Sequence, residues 1–286
     1  MSAAGVGRVI PLVVGWATVP LSMSLADLGP DRPGAAPARI REPVPALLVE
    51  LDGGWLLIDS GLNPVLLRDP ALRRRFHGRS EVTCELVGPD DADPLEWACA
   101  AAGVDLRDVV AVAISHFHYD HVGGLRHFAG RVPVFVQRAE FVAAEADPRR
   151  SEQACGMFRI DWDDPSVDWR FLDGDAEIAP GVDAVLTAGH TTGHQSFVVR
   201  LDPSRNRGQT HRYPGYVFAC DAADLQENLD AERPVSADDG RPREVTVEAI
   251  RRLKSIAVAN GYRVLPGHDP VVWPAFAADL GHPVPG

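Results

Sequence analysis

Three histidines and an aspartate fall within six consecutive positions, in the segment Ser115-His116-Phe117-His118-Tyr119-Asp120-His121-Val122-Gly123-Gly124. Imidazole nitrogens and a carboxylate spaced this closely deliver several metal ligands from one loop. The apolar run directly before them, residues 109–114, predicts a buried strand that ends where the cluster begins. The same arrangement recurs along the chain. A predicted strand at 182–187 runs into Gly189-His190, one at 216–220 ends at Asp221, and one at 262–265 runs into Gly267-His268. Ligands gather at strand ends in layered α/β proteins, so residues distant in sequence can converge there. Five histidines and two aspartates exceed the four ligands that one zinc ion takes, and they suit two ions that share a carboxylate and a water.

The elements that must position these groups follow from apolar patterning. Residues 46–51 and 55–59 flank Asp52-Gly53-Gly54 and read as a hairpin, which sets Asp59 at a strand end within reach of a ligand histidine. Further strands are predicted at 132–137 and 196–201. Helices are predicted at 94–102, with Asp93 as N-cap, at 139–146 and at 246–260, where Val247, Ile250, Leu253, Ile256 and Ala257 share one face. Residues 25–45, rich in Pro, Gly and Ala, read as a long loop. The loops at 15–38, 155–168 and 222–243 are expected to line a pocket, with Trp16, Met23, Met157, Phe158 and Trp162 either as partly apolar walls or, equally, as local core that anchors the loops. His77, His127, His211 and His282 are expected at the surface.

Composition bounds the function. The chain has 286 residues, 40 acidic against 28 basic, and a net charge of −12. A surface of that sign repels phosphate backbones and disfavours a nucleic-acid substrate. Cys84, Cys99, Cys155 and Cys220 form no CxxC pair and read as reduced thiols. The apolar stretch at 9–25 is interrupted by Pro11, Gly15 and Pro20 and has no cleavage site after it, so it reads as a strand rather than a signal peptide. No segment approaches a membrane span, and a cytoplasmic location is expected.

Three segments carry a family resemblance: HxHxDH at His116 to His121, Gly189-His190-Thr191-Thr192-Gly193-His194-Gln195-Ser196, and Gly267-His268-Asp269. With Ile58-Asp59-Ser60-Gly61, they make the chain resemble the metallo-β-lactamase superfamily, and within it the N-acyl-homoserine lactonase group. The resemblance implies an αββα sandwich, with residues 1–286 as a single domain. It implies that His116, His118 and His190 hold one metal, that Asp120, His121 and His268 hold a second, and that Asp221 bridges them. The metals implied are two zinc ions, with Fe, Mn or Co as alternatives, and His194 matches a position that is not a ligand.

The implied chemistry is a metal-bridging hydroxide attacking an ester carbonyl, with Asp120 orienting or accepting the proton of the bridging water. No GxSxG elbow offers a protein nucleophile instead. A quorum-quenching lactonase acting on an acyl-homoserine lactone or another small lactone is the leading expectation, as a monomer or homodimer. Hydrolysis of another ester or thioester at the same site is the alternative, followed by a mononuclear-iron sulfur dioxygenase. One position departs from the lactonase pattern. The group's tyrosine three residues after the bridging Asp is here Asp224, a second candidate catalytic residue that could not donate a hydrogen bond while ionised. Either Tyr119 or Tyr213 replaces that donor or the substrate is not an acyl-homoserine lactone, and Asp224 reads equally as an inert loop residue.

Overall fold

Near-continuous apolar runs in the first sixty residues, whose successive side chains alternate between the two faces of a sheet, build the longest strands of the molecule. β1 (Val9–Pro20) pairs antiparallel with β2 (Arg39–Leu51), which turns through Asp52-Gly53 into β3 (Gly54–Ile58). β4 (Thr83–Leu86), β5 (Val109–Ala113), β6 (Pro133–Gln137) and β7 (Asp168–Leu172) complete a seven-stranded sheet of order β4-β1-β2-β3-β5-β6-β7. The second sheet contains β8 (Ala176–Ala179), β9 (Val182–Leu186), β10 (Gln195–Arg200), β11 (Gly215–Phe218) and β12 (Arg263–Leu265), in the order β12-β11-β10-β9-β8. This computed structural model describes residues 5–28, 38–78, 81–146, 156–237 and 240–282.

The alternation also sorts side chains into layers. Leu47 and Val49 of β2 and Leu56 and Ile58 of β3 point towards the second sheet and meet Phe197, Val199 and Phe218, with Trp273 and Phe276 closing the space. The intervening Leu48, Leu57 and Val112 face outwards and pack with Leu95 and Cys99 of the helix Pro94–Ala101. On the far side, Val198 and Val217 are covered by Ile250 and Leu253 of the helix Arg243–Asn260. Each such fully buried Leu, Ile or Phe contributes about 1.5–3 kcal/mol. Helix, sheet, sheet and helix therefore stack as the expected αββα sandwich. Among the described residues, no helix is long and apolar enough to cross a membrane.

The structure corrects parts of the sequence reading. The loop expected over 25–45 gives way to β2 from Arg39, because β1 is long enough to pair with it as far as Pro20. Pro43 and Pro45 are accommodated beside a register shift between Val13 and Gly15. Gly15 to Pro20 is accordingly strand, not loop. The helix Val272–Asp279 and strands β7 and β8 were not expected. Cys84, Cys99 and Cys220 are free thiols, and Cys155 lies outside the described residues.

Candidate metal centre

Four strand ends deliver the polar cluster to one rim of the sandwich. β5 stops at Ala113, and the chain reaches His116 two residues beyond Ile114, then His118, which precedes the short helix Tyr119–Val122. β9, β11 and β12 lead to His190, Asp221 and His268 in turn. The side chains fall into two groups, His116, His118, His190 and Asp221, and Asp120, His121 and His268, with the candidate ligand atoms of each group within 4.8 Å of one another. Gly123 permits this packing, because a Cβ there would lie 2.1 Å from the backbone nitrogen of Asn63.

Asp221 stands between the groups and turns one oxygen to each. Its Oδ2 lies 3.6 Å from His116 Nε2 and 3.5 Å from His190 Nε2. Its Oδ1 lies 3.3 Å from His121 Nε2 and 3.1 Å from His268 Nε2. His118 presents Nδ1, 2.8 Å from His116 Nε2 and 3.0 Å from His190 Nε2.

The outer ring nitrogens fix the tautomers. His190 Nδ1 donates to the Ser236 carbonyl at 2.9 Å and His268 Nδ1 to the Pro43 carbonyl at 2.8 Å. His121 Nδ1 donates to Asp59 Oδ2 at 2.9 Å. Ser115 Oγ donates to the same Asp59 oxygen at 2.8 Å, so it accepts from His116 Nδ1 at 3.0 Å. In the neutral rings all four Nε2 atoms therefore carry lone pairs, and those lone pairs face a carboxylate. Acceptors opposed in this way need a cation between them. The buried His121 Nε2 has no hydrogen-bond partner, which is the same requirement seen at one atom. Each of the two groups has a donor set that could hold a metal ion.

The electrostatics carry the same demand for positive charge. Burial opposes protonation of His121 and His268, but Asp221 and the other nearby carboxylates outweigh it and raise both pKa values well above 6.5. Burial and the neighbouring His121 push His116 well below 6.5. Burial works against ionisation of Asp120 too, yet His121 and His268 hold it down to about 2.

Buried hydrogen bonds lock the ligand loops. Asp59, expected to touch a ligand histidine, holds His121 and also accepts from the Ser115 backbone nitrogen at 2.7 Å. Asp59 adopts φ 58° and Cys220 φ 48°, left-handed conformations that the surrounding contacts must hold. His194 is not a ligand, since its Nε2 accepts the Asp221 backbone N–H at 3.1 Å. Ser196 Oγ donates to the Ala219 carbonyl at 2.8 Å, so Thr187 donates to Ser196 and His194 Nδ1 donates to Thr187 at 2.9 Å.

Sequence reasoning missed Glu140. It is fully buried and accepts from Phe117 N at 3.1 Å, Thr191 Oγ1 at 2.8 Å and Gly193 N at 2.8 Å, tying the His118 loop to the His190 loop. A Cβ on Gly193 would lie 2.1 Å from the Glu140 nitrogen, so only glycine fits there. Glu140→Ala leaves three buried donors unpaired and is expected to destabilise the chain by about 3 kcal/mol or more. Glu140→Gln, which keeps one acceptor oxygen, should fall between. Urea unfolding of the metal-loaded proteins checks this, and a loss under about 1 kcal/mol for the alanine variant refutes the clamp.

A cavity of about 310 Å³ opens over the cluster, with His118, Asp120, His190, Asp221 and His268 in its floor. Met23 and Phe158 line it as expected. Trp162 instead stacks on Phe117 in the core, with ring centroids 4.9 Å apart, and Trp16 packs with Val13 and Val87 under Arg41. Met157 also joins the core. His77 belongs to the cavity wall rather than the surface, and burial lowers its pKa to about 4. Of the two tyrosines considered, Tyr119 lines the cavity, while Tyr213 packs beside Tyr216, away from it. Asp224 is buried on the wall, where burial and then Asp221 push its carboxyl well above the usual carboxylate range. It is thus no ordinary ionised loop residue. Glu42 shares that wall, and its place in an apparent loop hid it from sequence reasoning.

Known proteins resemble this chain in sequence and fold. The metallo-beta-lactamase superfamily model matches residues 39–205. An N-acyl homoserine lactonase of Rhizobium johnstonii is 31% identical over 242 residues, covering 82% of this chain and 84% of that protein. An N-acyl homoserine lactonase of Azorhizobium caulinodans is 30% identical over 250 residues, covering 84% and 87%. In fold, the chain is similar to a B. thuringiensis protein crystallised with N-decanoyl-L-homoserine at its active site. The TM-score is 0.72 at 24% identity, over 93% of this chain and 94% of that one.

Proposed function

The chain belongs to the metallo-beta-lactamase superfamily, and on that premise we propose that it is a cytoplasmic dinuclear-metal hydrolase that opens a small lactone. Residues 1–286 act as one catalytic domain in this reading. The observation that carries it is the division of Asp221 between two histidine groups, Oδ2 towards His116 and His190 and Oδ1 towards His121 and His268. His116, His118 and His190 would hold one ion, Asp120, His121 and His268 the other, and Asp221 both. When bound there, a pair of zinc ions, or of Fe, Mn or Co, would supply an activated water and a Lewis acid for the ester carbonyl.

The chain's own groups do the rest. Asp120 lines the cavity, stays ionised at neutral pH, and can accept the nucleophile's proton and return it to the leaving alkoxide. Asp59, Ser115 and the Pro43 and Ser236 carbonyls hold the imidazoles with their Nε2 lone pairs turned inwards. The names of the 30–31% identical relatives support a lactone as the ester. A hydrolysis screen of the metal-loaded protein over lactones, open esters, thioesters and phosphodiesters tests this. Carboxylate release from lactones is expected to exceed that from open esters and thioesters by at least about tenfold in kcat/KM. Turnover of thioesters or phosphodiesters alone overturns the lactone assignment, and one redox-active iron with oxygen uptake overturns the hydrolase.

A further inference from the structure

The cavity wall beside the metal ligands carries polar groups that the hydrolytic machinery does not use. Ser24, Glu42 and Asp224 are 1%, 6% and 6% exposed, and all three line the cavity. Ser24 Oγ lies 3.4 Å from Glu42 Oε2 and also serves the Asp224 carboxyl. Among the described residues, no backbone N–H, lysine or arginine bonds to the Glu42 or Asp224 carboxyl group. Asp224 Oδ1 is buried without any hydrogen-bond partner. Among the described residues, the Ser24 hydroxyl is the one side-chain donor set against these two buried carboxyl groups. Unpaired buried polar groups cost about 1–3 kcal/mol each, so this wall is built incomplete.

The wall is also held rigidly. Asn228 Nδ2 donates to the Ser24 carbonyl at 2.8 Å, and Ser236 N donates to the Met23 carbonyl at 3.0 Å. Ser236 in turn accepts from His190 Nδ1, and the Asp224 carbonyl accepts from His268 N at 2.8 Å. The acceptors therefore keep a fixed position relative to two metal ligands. A hydrocarbon chain against this wall would leave the acceptors desolvated and unpaired. An ammonium would be drawn to them but would sit beside the positive charge of the metal pair. An amide offers one N–H and then continues as alkyl. Neighbouring hydroxyl groups satisfy several acceptors without added charge.

We infer that Ser24, Glu42 and Asp224 form a specificity subsite for hydroxyl groups, so that the substrate is a small polyhydroxylated lactone rather than one with a plain acyl chain. The inference rests on the lactonase reading above. The cavity, about 310 Å³, lies at the lower end of small-molecule sites and suits a compact ligand.

The test compares kcat/KM of the metal-loaded full chain on D-galactono-γ-lactone, γ-butyrolactone, N-hexanoyl-homoserine lactone and homoserine lactone with its free ammonium. The hydroxylated lactone is expected to be preferred over γ-butyrolactone by at least about 100-fold. In Asp224→Leu and Glu42→Met, that ratio should fall at least about tenfold, and Ser24→Ala should lower it less. A ratio taken within one variant is independent of the fraction folded or metal-loaded. Preference for any of the other three lactones, or unchanged ratios in the variants, overturns the subsite alone. Turnover of thioesters with no lactone turnover overturns the lactonase reading and the subsite with it.

Discussion

Asp221→Ala is expected to lower hydrolysis by at least about 10³-fold and to cut bound metal from about two ions per chain to below one. The size of the effect follows from position. Each Asp221 oxygen faces two imidazoles, at 3.6 and 3.5 Å on one side and 3.3 and 3.1 Å on the other. Removing the side chain takes a ligand from both ions and the negative charge that offsets them. His190→Ala, by contrast, touches one group and should retain about one ion, held by Asp120, His121, His268 and the remaining Asp221 oxygen. Metal analysis of the purified variants separates the cases. Two ions retained in Asp221→Ala, or activity above about a tenth of the parent, would refute the bridging role.

The contrast between Asp221 and Glu140 explains what the sequence could reveal. His116 to His121 are visible because their spacing is local, and His190, Asp221 and His268 because each follows an apolar strand, a one-dimensional pattern. The sandwich was legible for the same reason: β3, β5, β9, β10 and the 46–51 part of β2 alternate or run largely apolar. Glu140 reads as an ordinary acidic residue in the first turn of a helix, and its burial depends on Gly193, 53 positions away. Glu42 lies between prolines in what looks like a loop, and only pairing with β1 makes it part of a strand that reaches the cavity. The helix Val272–Asp279 was masked by Pro274, which is tolerated because it falls in the first turn, where no intrahelical N–H is required. Local chemistry was therefore readable, while the groups that support it are defined by contacts across the chain.

Those supporting contacts also set how the chain responds to pH once any bound metal is removed. In the metal-free protein, His121 and His268 keep their protons well above 6.5, because nearby carboxylates outweigh the effect of burial. In the unfolded chain both titrate near the ordinary value of about 6.5. A raised histidine pKa contributes stability that is complete below 6.5 and is lost as pH rises through the folded value. From about pH 7 up to those raised folded values, the folded state holds protons that the unfolded state has released, so stability falls by about 1.4 kcal/mol per pH unit for each proton retained. His116 and His194, whose pKa values burial lowers, are neutral in both states across this window and add no slope. With metal bound the Nε2 lone pairs are already occupied, so cation binding replaces those protons and strengthens with pH. Calorimetry of chelator-treated and zinc-loaded protein should therefore give a metal-free Tm that drops by at least about 5 °C from pH 7 to 9, while the gap to the loaded form widens. The buried thiols Cys84 and Cys99, pushed up to about 12 by burial, contribute alike to both forms and cancel in the gap. A gap that stays constant or narrows across this range means that the histidines do not hold protons where the metals bind, and the assignment of His121 and His268 to the second ion fails with it.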